Sequence, residues 1–228
     1  MYKLFIANKN YSSWSLRPWL LMTELGLPFK AHLHVFGEGA NWAAFRAFSP
    51  TGKVPCLQAD DQVVWDSLGI AEWLAERHPG VWPLEAGARA WARCAAAEMH
   101  SGFGTLRGMC PMNCGLRVRL HEVPAALQAD LDRLDELWRD GLARFGGPFL
   151  AGPAFSAVDA FFAPVAFRIQ TYGLSLSPLA LAYAHRLLAL PGMQQWYDEA
   201  LREPWREPGH EAASLQHGER LSDERAPV

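Results

Sequence analysis

Serine hydroxyls are concentrated in one short stretch near the start of the chain, Ser12-Ser13-Trp14-Ser15. The stretch precedes a segment with helical spacing, and the N–H groups and dipole of a helix N-terminus favour a bound anion. A serine hydroxyl there can donate a hydrogen bond to a thiolate. Lowering a thiol pKa by two units needs only about 2.7 kcal/mol, which one or two hydrogen bonds to a charged group supply. A plain helix cap is the competing interpretation, because serine is enriched at that position.

A second motif, Thr51-Gly52-Lys53-Val54-Pro55, leads into a predicted strand. Proline removes one backbone donor and is the only residue for which a cis peptide bond costs little. A cis bond would turn the N–H and C=O groups of Val54 outward, where they can pair with an extended peptide ligand. An ordinary turn with a trans proline is the alternative.

A third motif, Asp66-Ser67, begins a predicted helix. The carboxylate of Asp66 can accept hydrogen bonds from an ammonium group, and Ser67 can offer its hydroxyl and N–H to a carboxylate. The pair therefore suits the head group of an amino acid. A simple N-cap is again the alternative.

The segments that carry these motifs alternate between strand and helix patterns within residues 1–80. The predicted elements are a strand over 2–7, a helix over 16–25 capped by Ser15, a strand over 29–36, a helix over 41–48, a hairpin of 54–59 with 62–65, and a helix from Asp66 to about His78. In the second strand, alternation predicts that Ala31, Leu33 and Val35 are buried and that His32 and His34 face water. A β-α-β unit followed by a hairpin and a helix is the thioredoxin-like pattern, with its first two strands parallel.

Residues 87–214, after a linker over 81–86, show helical periodicity and are predicted to form an all-helical C-terminal bundle. Helices are predicted over 88–103, 124–145, 157–172, 178–190 and 193–202. The stretch 104–123 is predicted to be a long loop that serves as a substrate lid, or a bent helix pair. The charged sequence after Glu203 lacks periodicity, and 215–228 is predicted to be a flexible tail. The fold class is thus α+β in the N-terminal domain and all-α in the second.

Composition excludes several kinds of protein. The chain has 228 residues, 50% of them hydrophobic and 20% charged, with a formal net charge of -3. It has no long basic block, which argues against nucleic-acid binding, and no run of the ~18 apolar residues that span a membrane. The four cysteines lack paired metal-ligand spacing, so no metal and no disulfide are expected, and the location is expected to be cytoplasmic.

Together, the three motifs and the two-part organisation resemble the soluble glutathione transferase family over about residues 1–202. Ser12-Ser13-Trp14-Ser15 resembles the Ser-Ser-Cys-Ser stretch of the zeta class, Val54-Pro55 the family's turn with its cis proline, and Asp66-Ser67 the pair that binds the γ-glutamyl end of glutathione. The stretch 149–159 resembles the capping box before the family's central helix, since Ser156 and Asp159 have the required spacing. The resemblance is to a serine-type, zeta- or theta-like bacterial member.

This resemblance implies a glutathione S-transferase that uses glutathione as cosubstrate and needs no metal. Ser12 is the implied catalytic hydroxyl that stabilises the thiolate, Ser13 is the alternate, and Tyr11 is a third candidate. The implied glutathione-binding residues are Val54, Pro55, Asp66 and Ser67, with Lys53 or His34 at the glycyl carboxylate.

The second substrate, a small electrophile, is expected against the fourth helix and the loop that follows it. Arg107 or Arg117 can hold a substrate carboxylate, with an exposed surface arginine as the alternative. Trp14 stands where the zeta class has cysteine, which argues against isomerisation of maleylacetoacetate. The implied pocket residues are Trp14, His100, Phe103, Arg107 and Met112.

Family members usually pair two chains, so the resemblance implies a homodimer. Trp42, Phe45 and Phe48 are candidates for that contact or for the core. The alternative function is a non-catalytic module of the same fold that binds a ligand or docks a protein. A reductase that uses Cys56 is disfavoured, because this cysteine follows the Val-Pro turn instead of beginning a helix.

Overall fold

The first part of the chain folds around a four-stranded sheet in the computed structural model, which describes residues 1–37 and 41–225. The strand order is β2-β1-β3-β4, with β1 and β2 parallel and the β3-β4 hairpin added antiparallel. The predicted thioredoxin-like arrangement is therefore confirmed. Its elements are β1 (Tyr2–Ile6), α1 (Ser13–Glu24), β2 (Phe29–Leu33), α2 (Trp42–Phe45), β3 (Cys56–Ala59), β4 (Gln62–Val64) and α3 (Ser67–Ala75).

Helix α1 begins three residues earlier than predicted. Ser12 is its N-cap, and Ser15, the predicted cap, lies inside the helix and is fully buried. The Ser15 hydroxyl oxygen accepts the N–H of Ala7 at 3.2 Å, so it ties the helix to the end of β1. The helix ends as predicted before Gly26, whose positive φ of 64° suits a glycine.

Strand β2 presents its faces in the opposite sense to the prediction. Leu33 is 39% exposed, whereas His32 and His34 are half-buried against the ring of Phe5, with ring centroids 5.1 and 5.6 Å apart. Leu33 lines an open pocket with the stretch 204–205, so that segment covers it only in part. The histidine rings instead extend an aromatic cluster on the other face.

The predicted helix over 41–48 is shorter, since α2 ends at Phe45. Phe45 and Phe48 are buried in a small cluster with Ala7 and Cys56, so they belong to the core. Trp42 remains 59% exposed.

The second part of the chain is mainly helical and surrounds one buried helix. Its elements are α4 (Ala86–Ser101), α5 (Gly104–Met109), β5 (Leu116–Leu120), α6 (Ala125–Phe145), α7 (Ala157–Tyr172), α8 (Pro178–Leu188), α9 (Pro191–Arg202), α10 (Pro208–Leu215) and β6 (Gly218–Asp223). The capping box at the start of α7 is confirmed: Asp159 accepts the N–H of Ser156 at 2.9 Å.

Two predictions for this part are wrong. The stretch 104–123 is not a loop, because it contains α5 and β5. The predicted flexible tail over 215–228 contains β6, which pairs antiparallel with β5, and α10 forms just before it, where no helix is predicted. The second part is thus helical with an added two-stranded sheet. Residues 226–228 of the predicted flexible tail lie outside the described residues.

Both parts share one hydrophobic core. A single cluster of buried side chains includes Leu20 of α1, Ala96 of α4 and Phe161 of α7. The Trp19 and Trp196 rings meet edge-on at 5.1 Å between α1 and α9. The domain boundaries at 80 and 87 remain a prediction. Within the described ranges, every helix is too short or too polar to cross a membrane.

Candidate functional site

A cleft of about 760 Å³ lies between the two parts of the chain. The first part lines it with the serine turn before α1, with α2 and with the Val-Pro turn, and the second part with α5, α7 and α10. The predicted site residues that line the cleft are Ser12, Ser13, Trp14, Lys53, Val54, Arg107 and Met112.

The two candidate catalytic serines have different surroundings. Ser12 is 5% exposed, and its hydroxyl donates to the Ser15 oxygen at 2.7 Å. Ser13 is half-buried, and its hydroxyl has no hydrogen-bond partner among the described residues. The N–H groups of Trp14 and Ser15 in the first turn of α1 also have no acceptor there, so this end of the helix offers unpaired donors to an anion.

Val54 presents an unpaired stretch of backbone to the cleft. Its peptide bond to Pro55 is cis, as one of the two predicted alternatives had it. Neither the N–H nor the C=O of Val54 has a partner among the described residues. Pro55 itself is buried and does not line the cleft.

Asp66 and Ser67 lie beside the cleft instead of lining it. One oxygen of Asp66 caps α3 by accepting the N–H of Leu68 at 2.8 Å, and the other lies 3.2 Å from His100 Nε2. The Ser67 hydroxyl is fully buried and has no hydrogen-bond partner within residues 1–37 and 41–225. A buried hydroxyl without a partner is costly, which marks Ser67 as a group with unused binding capacity.

Only one of the two candidates for the glycyl carboxylate lies on the cleft. Lys53 lines it and is exposed. His34 packs against Phe48 with ring centroids 4.3 Å apart, and burial lowers its pKa. His34 is thus part of the aromatic cluster under β2.

Tyr11 lines the cleft, but its hydroxyl already forms hydrogen bonds within the protein. It donates to a carboxylate oxygen of Glu211 and accepts from Arg225 Nη1 at 2.9 Å. Burial and then the bond to Glu211 raise the pKa of Tyr11 to about 12. Tyr11 therefore holds the C-terminal segment in place, and this role argues against Tyr11 as the residue that stabilises the thiolate.

On the electrophile side, Trp14 lies between two arginines. The guanidinium of Arg17 sits 4.1 Å from the Trp14 ring centroid and that of Arg107 5.5 Å away. His100 meets the same ring edge-on at 5.2 Å but does not line the cleft, and burial lowers its pKa. Phe103 is buried under α5.

Arg117, the alternative to Arg107, lies outside the cleft. Its Nη2 donates to the hydroxyl of Tyr197 at 3.0 Å.

Sequence reasoning missed several residues that line the cleft. The clearest available signal was Arg168, the one basic residue in the mainly apolar helix α7. His210 gave no local signal, because the charged sequence after Glu203 shows no helical periodicity. The missed residues are Phe36, Asn41, Trp42, Phe45, Arg168 and His210.

The buried cysteines are unsuited to redox chemistry. Burial raises the pKa of Cys56 to about 11 and that of Cys110 to about 12, and it raises that of Cys114 as well. These thiols therefore stay protonated near neutral pH. Residues 1–37 and 41–225 contain no group of three His, Cys, Asp or Glu side chains that could hold a metal ion.

Comparison with known proteins matches both parts of the chain to family models. The model described as the glutathione S-transferase N-terminal domain matches residues 11–77, and that of the C-terminal domain matches residues 117–199. Together they cover about two thirds of the chain.

Curated relatives include a protein named glutathione S-transferase DHAR2 from Arabidopsis thaliana, 29% identical over 158 residues, which are 68% of this chain and 66% of that protein. A probable maleylacetoacetate isomerase from Caenorhabditis elegans is 26% identical over 174 residues, 73% of this chain and 78% of that one.

Solved structures agree in fold. A glutathione transferase from Methylococcus capsulatus has a TM-score of 0.65 at 26% identity, covering 88% of this chain and 98% of that one. A Burkholderia homologue with bound glutathione has a TM-score of 0.65 at 23% identity, covering 87% and 97%.

Proposed function

The chain belongs to the glutathione S-transferase family, and we propose that it is a serine-type transferase that joins the sulfur of glutathione to a small electrophile. The observation that carries the proposal is the set of groups that the first part of the chain presents to the cleft. Ser12, Ser13, Trp14 with its unpaired N–H group and Val54 with its unpaired backbone all line it.

In this proposal the sulfur lies beside the serines and the peptide backbone of glutathione pairs with Val54. The γ-glutamyl end reaches Asp66 and the unpartnered hydroxyl of Ser67, and the glycyl carboxylate reaches Lys53. This placement uses the polar groups that have free hydrogen-bonding capacity on the first part of the chain.

The chemical step needs only an ionised sulfur. The thiol proton leaves to water, and the serine hydroxyl and the helix N-terminus stabilise the thiolate. The sulfur then bonds to the electrophilic carbon, and the leaving group on that carbon departs with the electron pair of its bond. Ser13 can donate as it stands. Ser12 can donate once Ser15 turns its own hydroxyl toward Ser12, because a hydroxyl is both donor and acceptor.

The test is turnover of glutathione with 1-chloro-2,4-dinitrobenzene by wild type and by Ser12→Ala, Ser13→Ala and the double variant. We expect one single variant to lose about 10- to 100-fold in kcat/KM, the usual value of a hydrogen bond to a charged group. Ser101→Ala, on the exposed end of α4, is the matched control. Full activity in the double variant would show that no serine hydroxyl stabilises the thiolate.

A non-catalytic glutathione-fold binding module is the second candidate. Two of the three candidate hydroxyls already donate hydrogen bonds within the protein, Ser12 to Ser15 and Tyr11 to Glu211. Within the described residues, only the hydroxyl of Ser13 is then free among these three, which favours this candidate. Binding of glutathione without turnover of the electrophile would select this candidate.

The cytoplasmic location and the homodimer remain predictions.

A further inference from the structure

Three arginines lie at or next to the cleft: Arg107 of α5 and Arg168 of α7 line it, and Arg17 of α1 packs against Trp14, which also lines it. Arg17 and Arg107 both lie near the same Trp14 ring. None of them has a carboxylate oxygen within 4.0 Å among the described residues. Their charges affect one another: burial and then the charges of Arg168 and Arg107 lower the pKa of Arg17 to about 9.

Arg17 is the most deeply buried of the three. It is 1% exposed, and its Nε and Nη1 atoms have no hydrogen-bond partner in the part of the chain that the structure describes. The guanidinium is held between the rings of Trp14 and Phe161, at 4.1 and 4.9 Å from their centroids. It lies directly behind the indole that lines the cleft.

Arg107 and Arg168 line the cleft themselves. Arg168 is 4% exposed and fixed by two carbonyl groups, since Nε donates to Cys110 at 2.8 Å and Nη1 to Pro164 at 3.3 Å. Its Nη2 has no acceptor among the described residues. Arg107 donates Nη1 to the carbonyl of His100 at 3.1 Å, and its buried Nε has no partner.

Burying one cation without an anion is costly, and burying three that repel each other costs more. A carboxylate placed among them would accept charge-assisted hydrogen bonds from the two planar guanidinium groups and offset that cost. The cluster therefore has the composition of an anion-binding site.

We propose that the electrophile conjugated by this protein carries a carboxylate, which Arg107 and Arg168 bind while Arg17 adds positive potential from behind Trp14. The inference rests on the proposed transferase function and names the class of its second substrate. A carboxylate anchored there would hold the reacting carbon toward Ser12 and Ser13, across the cleft.

Glutathione also has carboxylates, so the source of the anion must be distinguished. The groups available to glutathione, Lys53 and Ser67, lie on the first part of the chain, whereas Arg107 and Arg168 lie on the second part with Met112. This separation assigns the arginines to the other substrate.

The test compares two electrophiles of nearly equal shape, 4-chloro-3,5-dinitrobenzoate and 4-chloro-3,5-dinitrobenzamide. In both, the thiolate sulfur bonds to the ring carbon and chloride leaves with the electron pair of the carbon–chlorine bond. Each kcat/KM is divided by the uncatalysed rate constant of the same compound. We expect wild type to prefer the benzoate at least tenfold.

Arg107→Gln is the variant of choice, because Arg107 is only half-buried. It should lower kcat/KM for the benzoate about 10- to 100-fold and for the benzamide less than threefold. Arg117→Gln, the same change outside the cleft, should leave the ratio unchanged. An equal loss for both electrophiles, or no preference in wild type, would overturn the inference.

Calorimetric binding of the unreactive 3,5-dinitrobenzoate and 3,5-dinitrobenzamide separates this inference from the proposed function. If neither chloro compound reacts but the benzoate binds at least tenfold tighter through Arg107, the anion site stands and the transferase proposal fails. If Arg107→Gln weakens glutathione tenfold and leaves benzoate binding unchanged, the arginines serve glutathione and the inference is wrong.

Discussion

At the scale of single residues, the polar groups of the site differ in what they already bind. Ser12 and Tyr11 have partners within the protein, whereas Ser13 and Ser67 do not. A buried polar group without a partner lowers the stability of the free protein, and a ligand that supplies the missing hydrogen bond removes this penalty. Such groups identify the places where glutathione is expected to bind.

Ser67→Ala tests this reasoning directly. Because the buried hydroxyl has no partner, its removal should leave the unfolding free energy unchanged or raise it by up to about 1 kcal/mol. The same change should weaken glutathione about 5- to 50-fold, measured by calorimetry. Unchanged affinity would remove Ser67 from the proposed binding site.

At the scale of elements, the buried helix α7 depends on the carboxylate of Asp159. This side chain accepts the N–H groups of Leu150 and Ser156 and the hydroxyl of Tyr183, at 3.0, 2.9 and 2.7 Å. The Ser156 hydroxyl also donates to it at 3.4 Å. Burial nonetheless raises the pKa of Asp159 to about 6, so desolvation outweighs these hydrogen bonds.

This raised pKa has a predictable effect on stability. A folded-state pKa above the ordinary 3.8 means that the folded protein binds the proton more tightly, so the stability that Asp159 contributes is lost as pH rises from about 4 through about 6. Asp159→Asn removes the titration. The excess unfolding free energy of wild type over the variant should therefore shrink across that interval in denaturant titrations, and a constant difference would contradict the assignment.

The C-terminal segment is fastened by one buried arginine. Arg225 is 5% exposed and donates to the Tyr11 hydroxyl and to the carbonyls of Glu203 and Trp205. It thereby fixes α10 and β6 against the cleft.

Arg225→Ala should lower the unfolding free energy by about 2–3 kcal/mol, since three acceptors lose a charged donor. Arg220→Ala, an exposed arginine in the same segment, should change it by less than about 0.5 kcal/mol. Equal effects of the two substitutions in thermal or denaturant unfolding would show that the segment contributes little.

Elements with a local signal were predictable from the sequence. Helix α7 was bounded correctly because Ser156, Asp159 and Gly173 mark its ends, and the Val54-Pro55 turn was recognised from two residues. Strand β6 was missed because its charged sequence has no alternation, and it exists only through pairing with β5, about a hundred residues earlier. The sequence of either strand alone does not indicate that it pairs with a distant strand.

At the scale of the whole molecule, the cleft exists because two parts of the chain share one core. Ser12, Ser13, Lys53 and Val54 of the first part were predicted because they lie in short motifs, whereas Phe36, Asn41, Trp42 and Phe45 of the same part lie outside those motifs and were missed. Arg168 and His210 were missed because their place in the cleft depends on how α7 and α10 pack against the first part. The arginine cluster could not be predicted for the same reason, since its members are up to about 150 residues apart in the sequence.

The proposed homodimer is a further prediction at this scale. Trp42 and Trp65 on the first part are 59% and 45% exposed, and large exposed apolar groups mark contact surfaces. Light scattering should give about twice the chain mass of 25.4 kDa. A mass of one chain at every concentration would contradict the dimer.

The most direct measurement is the pKa of the glutathione thiol when bound, followed by ultraviolet absorbance of the thiolate as pH is varied. We predict a value at least one unit below the ordinary thiol value of about 8.5 in wild type, and a return to that value in the Ser12→Ala, Ser13→Ala double variant. A bound thiol that titrates like the free one in wild type would contradict stabilisation at the start of α1.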